Sequence, residues 1–291
     1  MNVSIAAKLR ARWSSRRRSA DSARDGGTAI AFRCNICGGK CSAPEAALQR
    51  EVPSCSSCGS TVRTRGIVHL LTTELFGVSI ALPELPQRPD IAGIGLSDSE
   101  GYASRLAQQL AYRNTFFHAK PKLDISSVPS ELSARYDFLI ASDVFEHVAP
   151  PVSRAFVNAR RLLKPDGVFV FSVPFSLAPE TVEHFPELHD YRLVHADGAW
   201  RLENRTADGR RQSFTDLVFH GGPGSTLEMR VFSRAALERE FAAAGFVGTR
   251  FVDEPYLPYG IVWPEPWSLP VVTRAPPGDR ALEPPPARGA A

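Results

Sequence analysis

The sequence predicts a doubly wound α/β domain with a mostly parallel sheet, preceded by a small zinc ribbon. Three observations carry this reading. From Asp90 onward, short apolar runs alternate with amphipathic helical stretches, as strand–helix–strand units with helices on both faces of a sheet require. Residues 138–141 are an unbroken apolar run and residues 168–173 a run interrupted only by Ser172, the pattern of strands buried on both faces. All five cysteines fall between residues 34 and 58, and four of them form two Cys-x-x-Cys turns.

The length of 291 residues suits one large domain and one small one. A hydrophobic fraction of 43% with 22% charged residues excludes a wholly disordered chain. No apolar run reaches the roughly 18 residues of a membrane span, so a cytoplasmic protein is expected. Residues 1–28 hold seven cations against two anions, a net of +5, which leaves −2 for the rest of a chain whose total is +3. A body of that charge argues against nucleic acid as a partner.

Residues 1–30 read as a basic, disordered arm outside the fold. Within it Ile5, Leu9 and Trp13 share one helical face among basic residues. Such a segment suits weak contact with an anionic membrane surface, and its Arg and Ser content also suits an organelle-targeting peptide. Residues 31–62 form the ribbon. Cys34, Cys37, Cys55 and Cys58 supply two pairs of thiolates, each from one tight loop, and two such loops face to face make a closed tetrahedral site for structural Zn2+. Cys41 is left over.

Residues 63–89 form a helix and linker. Ile67, Leu70, Leu71 and Leu75 have helical spacing, Arg63 and Arg65 read as solvated surface cations with anion binding as the alternative, and Pro83, Pro86 and Pro89 mark the boundary. The main domain spans residues 90–252. Its first strand covers 91–94, a helix carries Tyr102, Leu106 and Leu110, and the second strand covers 115–118. Strands at 138–141 and 168–173 flank a helix bearing Val152, Phe156, Ala159 and Leu163, which ends in a turn at 164–167. Residues 175–228 form a long insertion, with a β-hairpin around Asp208-Gly209. Residues 253–291 hold ten prolines and read as an extended tail, its first part pinned by Trp263 and Trp267.

The run from Tyr136 through Ser142, Asp143, Glu146 and His147, followed by Arg160-Arg161-Leu162-Leu163-Lys164-Pro165-Asp166-Gly167, the apolar strand and Pro174, resembles class I S-adenosylmethionine-dependent methyltransferases. Val231-Phe232-Ser233 with Ala244-Gly245-Phe246 resembles that family's last helix and following turn, and the resemblance covers about residues 90–252. It implies a seven-stranded-type sheet and S-adenosyl-L-methionine as cofactor. By that resemblance Gly93, Gly95, Ser97 and Asp98 form the turn against the methionyl part, with Ser97 where another glycine is common. Asp124 is placed at the adenine amino group, and Ser142, Asp143 and His147 beside the sulfonium. The acidic residue that usually meets the ribose is missing from Asn114-Thr115-Phe116-Phe117-His118, which leaves His118 as the ribose contact.

His147 has the intrinsic pKa of a general base, against a role in orienting its loop, and His220 is a second catalytic candidate. His184, His189, Tyr191 and His220 in the insertion are candidates to bind a polar acceptor. The reading is therefore a methyltransferase acting on a small polar or glycan-type acceptor. The alternative is a non-catalytic binding module built from a decayed methyltransferase domain and a ribbon, which the missing ribose carboxylate favours.

Overall fold

The computed structural model describes residues 29–278. The amphipathic stretch at Ile5, Leu9 and Trp13 and the proline run at 284–286 lie outside the described residues. The chain opens with an antiparallel pair, β1 (Ala29–Arg33) and β2 (Lys40–Pro44), in which Phe32 faces Cys41. Helix α1 (Val62–Phe76) follows. Its first turn is closed by Thr61 and Thr64, each hydroxyl accepting from the other's backbone N–H, and it stops at Gly77, whose φ of 72° only glycine adopts without cost.

Strand β3 (Arg88–Leu96), helix α2 (Glu100–Gln109), β4 (Leu110–Thr115), β5 (Tyr136–Ser142), α3 (Ser153–Leu162) and β6 (Leu163–Ser172) come next. The insertion carries short strands β7 (Phe175–Ser176) and β8 (Val182–Glu183), then a three-stranded meander of β9 (Asp190–Ala196), β10 (Ala199–Arg205) and β11 (Arg211–Phe214). It closes with the pair β12 (Phe219–His220) and β13 (Thr226–Leu227). Strand β14 (Arg230–Ser233) leads into α4 (Arg234–Ala243), followed by β15 (Val247–Phe251) and β16 (Val271–Arg274).

The main sheet has six strands in the order β15-β16-β6-β5-β3-β4. The four strands from β4 to β6 are parallel, and β16 runs antiparallel to both β6 and β15. Where a seventh strand is expected beyond β4, the chain makes a single bridge, Phe116 to Lys122.

Three boundaries differ from the sequence expectation. Helix α2 stops at Gln109 because Leu110 turns extended, so that Leu110 and Tyr112 alternate inward and the second strand is 110–115 rather than 115–118. The expected turn at 164–167 is part of β6, with the left-handed Asp166 (φ 59°) taking up the irregular register. The expected tail from 253 contains β16, which sits inside the sheet, with Val271 and Val272 each 1% exposed.

One face of the sheet is filled by aromatic rings. Phe171 and Phe241 meet at 5.2 Å and 90°, and Phe145 meets Phe156 at 4.9 Å, edge-to-face geometries that aromatic quadrupoles favour. On the other face, Phe32, Ile36 and Leu48 of the cysteine segment share one continuous core with Val68 of α1 and with Phe138 and Val170 of the sheet. The N-terminal module is thus packed into the main domain. Among the described residues no helix is long and apolar enough to cross a membrane.

Candidate active site and cysteine cluster

Parallel sheets open toward ligands at the carboxyl ends of their strands. Here a cavity of about 1310 Å³ lies over the ends of β3, β4 and β5. It is lined by Ser97, Thr115, Phe116, Asp124, Asp143 and His147 from the strand ends and following loops, by residues 49–52, and by Tyr191, Leu193, His220 and Glu228 of the insertion. Trp263 and Trp267, the expected anchors of the C-terminal segment, also line it.

Gly93 and Gly95 do not line the cavity. Both lie inside β3, facing the packed interior. A Cβ on Gly93 would come within 2.0 Å of the Phe138 ring, and one on Gly95 within 2.0 Å of the Tyr112 hydroxyl and 2.2 Å of Asp98 Oδ2. Their smallness serves packing beneath the site rather than approach of a cofactor. The turn itself is carried by Ser97, which adopts φ 55° and is held by donation from its N–H to the Thr115 carbonyl at 2.7 Å. That conformation explains why glycine is common at this position.

Asp98 is also turned inward, 5% exposed, and accepts from Tyr112 Oη at 2.5 Å. Burial pushes its carboxyl up to about 7, against the hydrogen bond from Tyr112. Asn114, at the end of β4, is bound to the Asp98 backbone by two hydrogen bonds, of 3.0 and 2.9 Å. Asn114, the first residue of the stretch where the resemblance implies a ribose carboxylate, thus braces the first turn. His118 is exposed at the cavity's edge, and Asp124 lines the cavity while its Oδ1 accepts from the Ser126 N–H at 2.8 Å and hydroxyl at 2.7 Å.

Beyond β5, Asp143 holds a left-handed φ of 56° and points at the N-terminal module. Arg50, 7% exposed, donates to both of its carboxylate oxygens, Nη1 to Oδ2 at 2.9 Å and Nη2 to Oδ1 at 2.5 Å. Arg63 donates to Ser142 Oγ at 2.8 Å and to both oxygens of Glu51 at 2.7 and 2.8 Å. Burial alone would raise the Asp143 carboxyl, but Arg50 and Arg63 outweigh it and hold it below the ordinary value. Ser142 is buried beneath this network and does not reach the cavity.

The expectation of solvated arginines is therefore corrected for both residues. Arg65 is fully buried and ties the module to the C-terminal segment, donating to Ser60 O, Ser54 Oγ, Tyr259 O and Gly260 O at 2.8 to 2.9 Å. Arg50 and Glu51 carry no sequence signal. Only the fold brings the loop between the cysteine pairs onto the sheet edge.

On the insertion side, His147 Nδ1 sits 3.0 Å from the Leu227 carbonyl, so that ring nitrogen carries the proton and Nε2 keeps its lone pair. Burial pushes the imidazole below its ordinary pKa, outweighing the Leu227 carbonyl. His220 stands 4.7 Å away, ring edge to face. Glu228 accepts from His184 Nε2 at 2.8 Å and pairs with His220 Nε2 at 3.1 Å. Burial would raise its carboxyl, but these two imidazoles bring it down to about 2. Glu146 is 2% exposed, and neither carboxylate oxygen has a hydrogen-bond partner among the described residues. Of the insertion residues expected at the acceptor, Tyr191 and His220 line the cavity, whereas His184 stands behind Glu228 and His189 caps its loop through Asn204.

The four cysteines of the paired turns converge, their sulfurs all within 4.8 Å of one another. Cys34 and Cys58 are 3.7 Å apart and Cys37 and Cys55 3.6 Å. A tetrahedron with arms of about 2.3 Å has edges of about 3.8 Å, so this spacing fits a four-thiolate metal centre. The Cys34 N–H donates to the Gly39 carbonyl and the Gly38 N–H to the Cys34 carbonyl, each at 2.8 Å, which curls the first turn. Cys41 Sγ lies 3.5 Å from Cys55 but outside the four-sulfur group.

A methyltransferase-domain family model matches residues 77–250, more than half of the chain. No curated protein sequence matches it. Among solved structures it is similar to the 1,6-didemethyltoxoflavin-N1-methyltransferase of Burkholderia thailandensis, at 17% identity over 64% of this chain and 72% of that one, with a TM-score of 0.36. The carbon methyltransferase CurJ is 17% identical over 75% of this chain and 56% of its own, with a TM-score of 0.44. An amino pentose methyltransferase from Micromonospora echinaspora is 16% identical over 65% and 85%, with a TM-score of 0.36. With the sheet order and the position of the cavity, the family match leads to one assignment: this chain belongs to the methyltransferase-domain family.

Proposed function

We propose that the protein is an S-adenosylmethionine-dependent methyltransferase acting on a small polar or glycan-type acceptor. The observation that carries this is a cavity roomy enough for cofactor and acceptor together, set at the carboxyl ends of β3, β4 and β5 in a chain of this family. The cofactor would lie over Ser97, His118 and Asp124, with its sulfonium toward Asp143 and His147. The acceptor would enter beneath Tyr191 and His220 of the insertion. Transfer forms a bond from an acceptor oxygen or nitrogen to the methyl carbon as the carbon–sulfur bond breaks. The electron pair stays on sulfur and the acceptor's proton leaves. His147 and His220 line the cavity at its acceptor end and would act on the acceptor group that loses the proton.

The cysteine spacing supports structural Zn2+ bound by Cys34, Cys37, Cys55 and Cys58, with no coordination position left for catalysis. The second reading, a non-catalytic module, draws on Asn114, which offers no carboxylate to a ribose and is engaged with Asp98.

Thermal unfolding with S-adenosylhomocysteine separates the two readings. At a hundred times its dissociation constant the ligand should stabilise the protein by about 2.7 kcal/mol. It should also perturb the fluorescence of Trp263 and Trp267, which line the cavity. No shift with either this ligand or S-adenosylmethionine would support the module.

A further inference from the structure

We infer that Glu146, His147 and His220 form a second metal site, which takes a first-row divalent cation on the acceptor side of the cavity. One ligand atom from each of the three lies within 4.8 Å of the others. Glu146 Oε1 stands 3.8 Å from His147 Nε2, the nitrogen whose lone pair is left available when Nδ1 faces the Leu227 carbonyl. Two histidines and one carboxylate are a donor set that suits such cations and leaves coordination positions open.

The observation that points to a ligand is Glu146. Its side chain is 3% exposed, yet both oxygens lack any hydrogen-bond partner among the described residues. A buried carboxylate without a partner is costly, and a coordinated cation removes that cost. The surrounding groups match what metal-binding histidines receive from their neighbours. His147 is oriented by a backbone carbonyl, and His220 by the carboxylate of Glu228, which is itself held by His184. Glu228 is engaged by His184 and His220 Nε2, and Asp143 by Arg50, so neither carboxylate competes.

His147 and His220 both line the cavity, so the open positions of the cation face the acceptor space. The ligand class this site would take is an acceptor with an oxygen donor, such as a hydroxyl or a vicinal diol. That acceptor assignment rests on the methyltransferase reading, whereas cation binding does not.

The test is a titration of the full chain, its cysteine centre loaded, with Mn2+, followed by the electron paramagnetic resonance signal of the free ion. Mn2+ prefers oxygen and nitrogen ligands to thiolates, so the cysteines do not contribute. The expected result is one Mn2+ per chain, lost in Glu146→Gln and in His220→Asn. Glu228→Gln, which alters the support of His220 and the partner of His184 but removes no ligand, should weaken binding about 10- to 100-fold. Absence of saturable binding up to millimolar Mn2+, or equal binding in wild type and His220→Asn, would overturn the site. His220 is the more exposed ligand, so its variant serves if Glu146→Gln does not fold. Mn2+ binding without any affinity for S-adenosylhomocysteine would leave this site standing and remove the methyltransferase reading, and the reverse pattern would do the opposite.

Discussion

Two carboxylates that follow β5 are treated in opposite ways. Against the cysteine module, Asp143 receives two hydrogen bonds from Arg50, and Glu51 receives two from Arg63. Against the insertion, Glu146 is buried with no hydrogen bond to its carboxylate, beside two imidazoles. A satisfied network of this kind fixes geometry, and an unsatisfied carboxylate marks a place where something else completes the structure. The module side therefore reads as scaffold, and the insertion side as the side left to be completed.

The largest expected effect tests the scaffold. Cys55→Ser should lose the metal and, with it, the fold of the module, whose core is continuous with the sheet face around Phe138 and Val170. Metal analysis and circular dichroism would show both losses. Cys41→Ser, outside the four-sulfur group, should keep its full metal content. Equal loss from both variants would break the ligand assignment.

Next in size is Arg50→Met. It leaves the Asp143 carboxylate without its bidentate partner, and removing one member of a buried pair costs about 3–5 kcal/mol. Asp143 keeps some exposure and Arg63 remains 3.4 Å away, so the lower end is expected in urea unfolding. A change below 1 kcal/mol would show that this side of the cavity does not depend on the pair.

A smaller effect appears as pH dependence. Asp98 has its carboxyl raised to about 7 by burial, so the folded state binds its proton more tightly than the unfolded chain does. The stability this contributes is complete below the ordinary carboxyl pKa of about 3.9 and is lost as pH rises toward 7, at up to about 1.4 kcal/mol per pH unit. Asp98→Asn should flatten that part of the stability profile. An unchanged slope would place the titration elsewhere.

Much of this was legible in the sequence, and what was not has physical reasons. The buried strands β5 and β6 showed as apolar runs, and the paired cysteine turns showed by spacing alone. Strand β4 was misplaced by five residues because the periodicity changes from helix to strand at Leu110 with no Gly or Pro to mark it. Strand β16 was hidden because its four residues lie among prolines, and its place between β6 and β15 depends on partners a hundred residues away. In the site, Ser97, Asp124, Asp143, His147 and His220 all line one cavity. Gly93 and Gly95 matched a motif but serve packing against Phe138 and Tyr112. Arg50, Glu51 and Glu228 belong to no motif, since only tertiary packing brings them to the cavity. Glu146 stands in the motif run with nothing to set it apart, and the lack of a hydrogen-bond partner for its carboxylate among the described residues shows only in the structure.

The cysteine module is one side of the cavity and shares the main domain's core rather than standing as an appended domain, so cofactor affinity should depend on it. Calorimetric titration of S-adenosylmethionine into the full chain, before and after a chelator withdraws the cysteine-bound metal, tests it most directly. The account predicts one site of micromolar affinity in the loaded protein and at least about a tenfold loss, or 1.4 kcal/mol, in the stripped protein. Unchanged affinity in a stripped protein that keeps its circular dichroism, or no binding at millimolar cofactor in the loaded one, would contradict it.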